Sequence, residues 1–379
     1  MTRRQPSATK SSATKSGATR YLVDRAHITE LLADTPRYRV DQLWRGLYEQ
    51  CLPLDGLTAL PRALRESLAA AVPLALDQVI ESVSDDGETV KLLWQLGDGA
   101  LIETVLMHYR DRSTICVSTQ AGCAMGCTFC ATGQAGYQRS LDVGEIVEQV
   151  LRARHRSQLA PGEHPNVVFM GMGEPFANYD NMWAAIERLH DDAGWSARNF
   201  TVSTVGIIPG IRRLSHERLP VNLAVSLHAA NDELRNSLVP INRRYPIADL
   251  MEACRDYFAA KGRRVSFEWA LIDGVNDRQR DAEEFAAIAR ELRAHINLIP
   301  LNPTPGYEVR GTPMPRVLAF RDRLRALGAN ATVRRNRGTD IDAACGQLRA
   351  AAIDQPVLAP RRAADRSGSA RAAAERLPS

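Results

Sequence analysis

From about residue 114 onward, short apolar runs alternate with amphipathic helical patterns, and this alternation constrains the fold more than any other feature of the sequence. Short apolar strands separated by helices predict parallel βα units with both faces of the sheet covered. We therefore predict an α/β fold of the partial (β/α) barrel type. The alternative is an open doubly wound sheet, but no G-x-G-x-x-G fingerprint follows the first strand. The predicted strands are Ile115–Thr119, Asn166–Met170, Phe200–Thr204, Asn222–Ser226, Val265–Ala270, Ile296–Pro300 and Ala331–Arg334, and the predicted helices between them are Gly144–His155, Asn181–Asp191, Ile247–Lys261, Arg280–Ala294 and Arg316–Leu327.

Polar and unusual residues gather at or just after the carboxyl ends of these predicted strands. They are Cys123, Cys127 and Cys130 after the first strand, Gly173 and Glu174 after the second, Ser203 at the third, Ser226, Leu227 and His228 at the fourth, Asn302 after the sixth, and Cys345 after the last. In βα barrels, the loops at this end of the strands build the active site. The pattern therefore directs six separated segments to one site.

The first three cysteines have the spacing C-x3-C-x2-C, and no fourth cysteine lies near them in the sequence. A structural zinc takes four closed ligands, whereas an iron–sulfur cluster held by three thiolates keeps one iron open for a substrate or cofactor. The chain has seven cysteines in 379 residues, an odd number in a chain too long to be a disulfide scaffold. We therefore expect a cytoplasmic protein whose cysteines act as ligands or nucleophiles.

The chain outside the alternating pattern has a different character. Its two ends are basic and rich in Ser, Thr, Ala and Pro, which is typical of disordered segments. No apolar run approaches the roughly 20 residues that a membrane helix needs, so we expect no membrane partner. The predicted organisation is a disordered basic tail at 1–20, a helical accessory domain that binds RNA at 21–75, a β-rich connection at 76–108, a core at 109–353 and a second disordered basic tail at 354–379.

Five motifs occur together along the chain. They are the cysteine triplet with Phe129 before its last member, Gly171–Pro175, Ser226–His228, Val239–Asn242 and Asp340–Gln347. In this combination and order, the sequence resembles the RlmN/Cfr family of radical S-adenosylmethionine (radical SAM) RNA methyltransferases, and within that family its dual-specificity branch. The resemblance covers about residues 25–353 and implies a partial (β/α) barrel of the radical SAM type.

The resemblance also implies two cofactors, one [4Fe–4S] cluster per chain and S-adenosyl-L-methionine. In the family, three thiolates hold the cluster, the open iron chelates S-adenosylmethionine, and one electron cleaves the sulfonium to give a 5′-deoxyadenosyl radical. Carried over to this sequence, the cluster ligands are Cys123, Cys127 and Cys130. The cofactor contacts are Gly173, Glu174, Ser203, Ser226, Leu227, His228 and Asn302.

Two further cysteines and one carboxylate match the family's reacting groups. Cys345 matches the residue that carries the methyl group as S-methylcysteine, and Cys116 matches the residue that resolves the protein–RNA adduct through a transient disulfide with Cys345. Glu103 matches the proton acceptor. From the residues alone, Cys116 would be a core residue of an apolar strand and Glu103 would lie on a solvated face.

The implied reaction is methylation of carbon 2 of adenine in 23S rRNA, at the adenosine 2503 type of site in the peptidyl-transferase centre, and in tRNA, at the adenosine 37 type of site. A flavodoxin-type reductant would supply electrons to a monomeric enzyme. The alternatives are a Cfr-type reaction at carbon 8 of the same rRNA adenosine, or a non-catalytic iron–sulfur protein that binds RNA. Basic candidates for RNA contact, each of which could also be plain solvated surface, are Arg139, Arg243, Arg244 and Arg334–Gly338.

Overall fold

The computed structural model describes residues 18–157, 159–160, 162–302, 310–334, 337–344 and 346–348. Within this part, ten strands form one sheet whose spatial order follows the chain, and two short strands, β5 and β6, form a separate hairpin. The strands are β1 (Leu76–Val83), β2 (Thr89–Leu96), β3 (Leu101–His108), β4 (Ser113–Cys116), β5 (Gln120–Gly122), β6 (Tyr137–Ser140), β7 (Asn166–Phe169), β8 (Phe200–Thr204), β9 (Asn222–Ser226), β10 (Ser266–Leu271), β11 (His295–Pro300) and β12 (Asn330–Val333).

The main sheet has an antiparallel part and a parallel part. Strands β1 to β4 form an antiparallel meander. From β4 through β7 to β12, every neighbouring pair is parallel. The strand order never reverses, whereas a doubly wound sheet reverses at its switch point. This confirms the predicted α/β class with its mostly parallel sheet and excludes the doubly wound alternative.

Helices follow most of the parallel strands. The long ones agree with the sequence patterns, and α9 has the predicted bounds. An Asp142–Glu145 capping box starts α5, and Gly262, with φ of 62°, ends α9. The seven-residue helices α7 and α8 were not predicted, because two turns are too short to display a helical period. The helices are α1 (Arg25–Leu31), α2 (Tyr38–Trp44), α3 (Arg62–Ala71), α4 (Ala131–Ala135), α5 (Val143–Arg156), α6 (Tyr179–Asp191), α7 (Ile208–Leu214), α8 (Asp232–Leu238), α9 (Ile247–Lys261), α10 (Gln279–Glu291) and α11 (Met314–Ala326).

The N-terminal helices α1 to α3 are tied to the outer face of the barrel. Arg188 on α6 donates to the carbonyl of Tyr21 at 2.6 Å. Glu148 on α5 accepts from the backbone N–H of Ala75 at 2.8 Å. Arg20 is buried and donates its N–H to the carbonyl of Pro73. Among the described residues, no helix combines the length and apolar character of a membrane span.

The chain that precedes Cys345 returns across the edge of the β1–β3 meander. The side chain of Asp340 accepts from the N–H of Asp85 at 2.8 Å, and Arg337 donates to the carbonyl of His108 at 2.9 Å. Arg337 also pairs with Glu88. These contacts lie at the β1–β2 turn and at the end of β3, so the meander determines the path of the segment that leads to Cys345.

Candidate active site

The cysteine triplet lies on the loop between β5 and α4. Cys123 directly follows β5, and Cys130 is the residue before the first turn of α4. Gly122 has φ of 76°, and a Cβ there would lie 1.9 Å from the carbonyl oxygen of Gly136. Only glycine permits this approach. The N–H of Cys123 donates to the same carbonyl at 2.9 Å, so the β5–β6 hairpin determines where the loop begins.

The environment of the three thiols suits a cluster better than a single ion. Burial raises the pKa of Cys123 to about 11, and burial together with the nearby Cys130 and Cys123 thiols raises the pKa of Cys127 still further. These thiols ionise readily only beside a positive partner such as bound iron. Within the described part of the chain, no three His, Cys, Asp or Glu side chains converge on a single metal ion. A cluster has no such requirement, because each thiolate binds a different iron.

A cavity of about 940 Å³, measured with its open mouth, lies beside this loop at the carboxyl edge of the parallel strands. Its volume is in the range of cofactor sites. Leu227 and Asn302 are buried but do not line it, and neither does Cys123. Their assigned roles, like those of the lining residues, stay predictions. The predicted residues that the cavity brings together are Cys127, Cys130, Gly173, Glu174, Ser203, Ser226 and His228.

Glu174 is a buried carboxylate in the wall of this cavity. Its Oε1 accepts from the N–H of Phe176 at 3.1 Å, and its Oε2 accepts from the N–H of Val205 at 2.9 Å. Burial raises the pKa of Glu174 to about 7, although these hydrogen bonds act to lower it. Gly173 has φ of 97°, and a Cβ there would lie 2.6 Å from the side chain of Gln120. The carboxylate is therefore held rigidly and is close to half-protonated at neutral pH.

His228 lines the same cavity and has a neutral ring. Burial, and secondarily the charge of Arg235, lowers the pKa of His228 to about 3. Its Nδ1 accepts from the N–H of Ala270 at 3.0 Å, so the ring proton is on Nε2. The ring meets Phe129 edge to face, with 4.7 Å between centroids. The residue is thus both a structural anchor and a wall of the site.

Glu268 on β10 also lines the cavity, and the sequence patterns did not identify it. Its Oε1 accepts from Asn297 at 2.9 Å, while its Oε2 has no hydrogen-bond partner in the described structure. Burial raises its pKa. The available signal was a lone carboxylate between Phe267 and Trp269, in a strand of a parallel sheet whose two faces are both covered.

A second cavity, of about 490 Å³, adjoins the first and contains Cys116 in its wall. Cys116 ends β4 and is paired in register with Val105, which lines the same cavity. Ala344 lines this second cavity and Gly346 lines the first. Cys345 itself lies outside the described residues. The two cavities share four wall residues, namely Met170, Ile299, Arg334 and Leu348.

Glu103 lies on β3 two residues before Val105, so both side chains are on the same face of the strand. Glu103 is 5% exposed and therefore does not lie on a solvated face. Lys91 on β2 pairs with it at 3.3 Å and also donates to the carbonyl of Asp342 at 3.3 Å. The lysine thus connects the predicted proton acceptor with the segment that leads to Cys345.

The chain is similar in sequence and in structure to known radical SAM methyltransferases. Residues 117–286 match the radical SAM superfamily. The chain is 51% identical to the probable dual-specificity RNA methyltransferase RlmN of Chloroflexus aurantiacus, over 86% of this chain and 92% of the relative. It is 47% identical to the protein of the same name from Roseiflexus castenholzii, over 86% of this chain and 95% of the relative. A crystal structure of a radical SAM methyltransferase from Sphaerobacter thermophilus superposes with a TM-score of 0.83 at 50% identity, covering 88% of this chain and all of that one.

The chain belongs to the RlmN family.

In this RlmN-family chain, the basic candidates for RNA contact have different environments. Arg139 is committed to ion pairs with Asp98 and Glu145. Arg243 and Arg244 are exposed on the surface. Arg334 lines both cavities, whereas Arg335 and Asn336 lie outside the described residues. Only Arg334, of the described candidates, combines a positive charge with a place in the wall of both cavities.

Proposed function

We propose that the chain is a radical SAM methyltransferase that forms 2-methyladenosine in 23S rRNA and in tRNA, at the adenosine 2503 and adenosine 37 types of site, through S-methylcysteine at Cys345. The observation that carries this proposal is the pair of adjoining cavities. One is lined by two of the three predicted cluster ligands and by five of the seven predicted cofactor contacts, and the other is lined by Cys116. Ala344 and Gly346, which flank Cys345 in the sequence, line the second and the first cavity respectively.

The residues of the first cavity and of the cysteine loop beside it fit the implied cofactors. Cys123, Cys127 and Cys130 would hold the [4Fe–4S] cluster. Glu174 would accept a charge-assisted hydrogen bond from the ammonium group of S-adenosylmethionine, and His228 would donate from Nε2 to an acceptor on the same molecule. When bound, the two cofactors supply a 5′-deoxyadenosyl radical, which suits an adenine carbon that lies between two ring nitrogens and is too electron-poor to attack a methyl sulfonium.

Two cysteines outside the cluster would carry and release the new carbon. The Cys345 thiolate would displace S-adenosylhomocysteine from S-adenosylmethionine and so take its methyl group. After that methyl has lost a hydrogen atom, its carbon would bond to the adenine carbon and link the enzyme to the RNA. The one electron that this adduct must then lose would return to the cluster that supplied one. The Cys116 thiolate would then attack the sulfur of Cys345. A disulfide bond forms, the bond between that sulfur and the methylene carbon breaks, and its electron pair goes to the carbon, which takes up a proton to become the methyl group. Burial of Cys116 beside the residues that precede Cys345 supports this pairing.

Glu103 would remove the proton that the adenine carbon loses. Its carboxylate is buried and pairs with the Lys91 ammonium group at 3.3 Å, which would hold it in one position beside the base. The adenine must leave its stack to enter a cavity of this kind. Arg334, in the shared wall, would meet a phosphate or the base itself.

The experiment is anaerobic reconstitution of the cluster, followed by addition of reductant, S-adenosylmethionine and either ribosomal or transfer RNA. Mass spectrometry of the digested RNA should find 2-methyladenosine. Cys116→Ala should form no product and should accumulate a covalent protein–RNA adduct. Cys254→Ala, at a buried cysteine of α9 away from both cavities, is the matched control and should form product.

Three outcomes would contradict the proposal in different ways. Formation of 8-methyladenosine alone would assign the Cfr-type reaction. Absence of 5′-deoxyadenosine, even with RNA present, would assign a non-catalytic binding protein. Loss of activity in Cys116→Ala without an adduct would remove the resolving role of that cysteine.

A further inference from the structure

Arg235 on α8 is a fully buried cation, and none of the roles described above involves it. Its side chain is 0% exposed. Its guanidinium donates to the carbonyls of Val205 at 2.6 Å, Leu227 at 3.0 Å and Ser226 at 3.2 Å, and to the side-chain oxygen of Asn242 at 2.7 Å. All four acceptors are uncharged, so among the described residues only dipoles are in contact with the positive charge.

A buried charge without a counter-ion is costly, and folded proteins rarely contain one. No carboxylate of the described residues forms an ion pair with Arg235 within 4.0 Å. Asn242, which accepts from Arg235, also donates from Nδ2 to the carboxylate of Asp232 at 2.8 Å. Asp232 is exposed to water, which screens its charge. The site therefore keeps an excess of positive charge in a dry environment.

This charge lies beside the cysteine loop. Leu238, one turn after Arg235 on α8, accepts a hydrogen bond from the N–H of Thr128 at 3.3 Å. The side chains of Leu238 and Cys127 belong to the same small apolar cluster. Burial lowers the pKa of Arg235 to about 10. Of the groups that raise this pKa, Cys127 has the largest effect. The guanidinium is therefore charged at neutral pH and close to a predicted cluster ligand.

We propose that Arg235 is the built-in counter-charge of the iron–sulfur cluster and that it raises the reduction potential of the cluster. This inference rests on the proposed function, because it requires a cluster on Cys123, Cys127 and Cys130. Three thiolates carry more negative charge than an oxidised cluster core carries positive charge, so the assembled group is anionic. The one electron delivered by a flavodoxin-type reductant makes it more so. A nearby buried cation stabilises the reduced form more than the oxidised form, since Coulomb interactions are strong where water is excluded.

The same guanidinium also holds the loops after β8 and β9, and this gives a structural alternative that the test must separate. Arg235→Lys keeps the charge but loses most of the hydrogen-bond geometry. Arg235→Gln loses the charge. The exchange variant Asp232→Asn with Asn242→Asp keeps Arg235 and the net charge of the protein, but it places a carboxylate directly against the guanidinium.

The experiment is a potentiometric titration of the reconstituted cluster, followed by electron paramagnetic resonance, with iron content and circular dichroism measured on each sample. Arg235→Gln should shift the midpoint potential to a more negative value, and Arg235→Lys should stay closer to the wild type. The exchange variant should also shift the midpoint potential to a more negative value. This variant tests the proposal if Arg235→Gln does not fold. Arg264→Gln, an exposed arginine just before β10, is the charge-matched control and should leave the potential unchanged.

Equal potentials in the wild type, Arg235→Gln and the exchange variant would overturn the inference. Equal shifts in Arg235→Lys and Arg235→Gln would also overturn it, because loop geometry would then be the cause. A wild-type protein that assembles no cluster would refute the proposed function and this inference with it. A normal cluster with an unaltered potential in the variants would refute this inference alone.

Discussion

Glu174 makes a prediction whose sign and size follow from its burial. Its pKa is raised from 4.5 to about 7, because burial penalises the charged carboxylate. Between these two values the folded state retains a proton that the unfolded state has lost. The free energy of unfolding should therefore fall as pH rises through this window and level off above it. A shift of this size corresponds to about 3 kcal/mol in full, and to about 2.5 kcal/mol between pH 5 and pH 8.

The assay is urea unfolding of the cluster-free, ligand-free protein at pH 5, 6, 7 and 8, for the wild type and for Glu174→Gln. The glutamine cannot accept from both Phe176 and Val205, so the variant should be less stable by about 1–3 kcal/mol at every pH from this cause alone. Other buried carboxyl groups contribute equally to both proteins. The difference between the two pH slopes therefore isolates Glu174, and the variant should lose about 2.5 kcal/mol less than the wild type from pH 5 to pH 8.

Ligand binding gives an independent measurement of the same group. If ionised Glu174 receives an ammonium group, S-adenosylhomocysteine should bind the wild type about tenfold more weakly at pH 6 than at pH 8, because about a tenth of the carboxylate is ionised at pH 6. Glu174→Gln should show no such dependence. Parallel pH slopes of stability for the two proteins would refute the reasoning about burial, whatever their absolute stabilities.

Three further substitutions test other parts of the site. Glu268→Ala should weaken S-adenosylhomocysteine binding about tenfold in calorimetry, because it removes a cavity oxygen that has no partner among the described residues; an unchanged affinity would mean that this oxygen meets no ligand. Lys91→Met should slow methyl transfer at least about tenfold in single-turnover experiments, with partial recovery in Lys91→Arg, because it removes the ammonium group that pairs with the buried Glu103 carboxyl group. A wild-type rate would remove the lysine from the mechanism. Gly171→Ala should lower the free energy of unfolding by about 1–3 kcal/mol, because its Cβ would lie 2.6 Å from a backbone carbonyl oxygen, whereas Gly97→Ala, which has open space, should be near neutral in the same urea titration.

The barrel strands and long helices were predictable because their signals are local. The bounds of β8, β9 and α9 agree with the apolar and helical patterns in the sequence. The β5–β6 hairpin was missed, since strands of three and four residues carry too little pattern to be recognised. In the region 21–75, predicted to be helical, α2 continues into a π-helix at Arg45–Glu49, a change of winding that periodicity alone does not reveal.

The site was predictable to the extent that parallel strands end at a common edge. This topological rule brings residues such as Glu174, Ser203 and His228 to one cavity without any knowledge of their contacts. Arg235 and Glu268 were not predictable in the same way. A charged residue in a helix or strand has the same sequence pattern whether water or protein surrounds it, and burial is decided by segments distant in the chain.

The sequence by itself determined the class of the fold, the family, and which cysteines are available to hold a cluster or to react with a methyl group. These properties depend on residue type and spacing along the chain. Only the tertiary structure decided that two cavities share a wall, that Cys116 belongs to one and Glu174 to the other, and that Lys91 pairs with Glu103. The cost of a buried charge depends on what surrounds it in space, and folding alone brings those surroundings together.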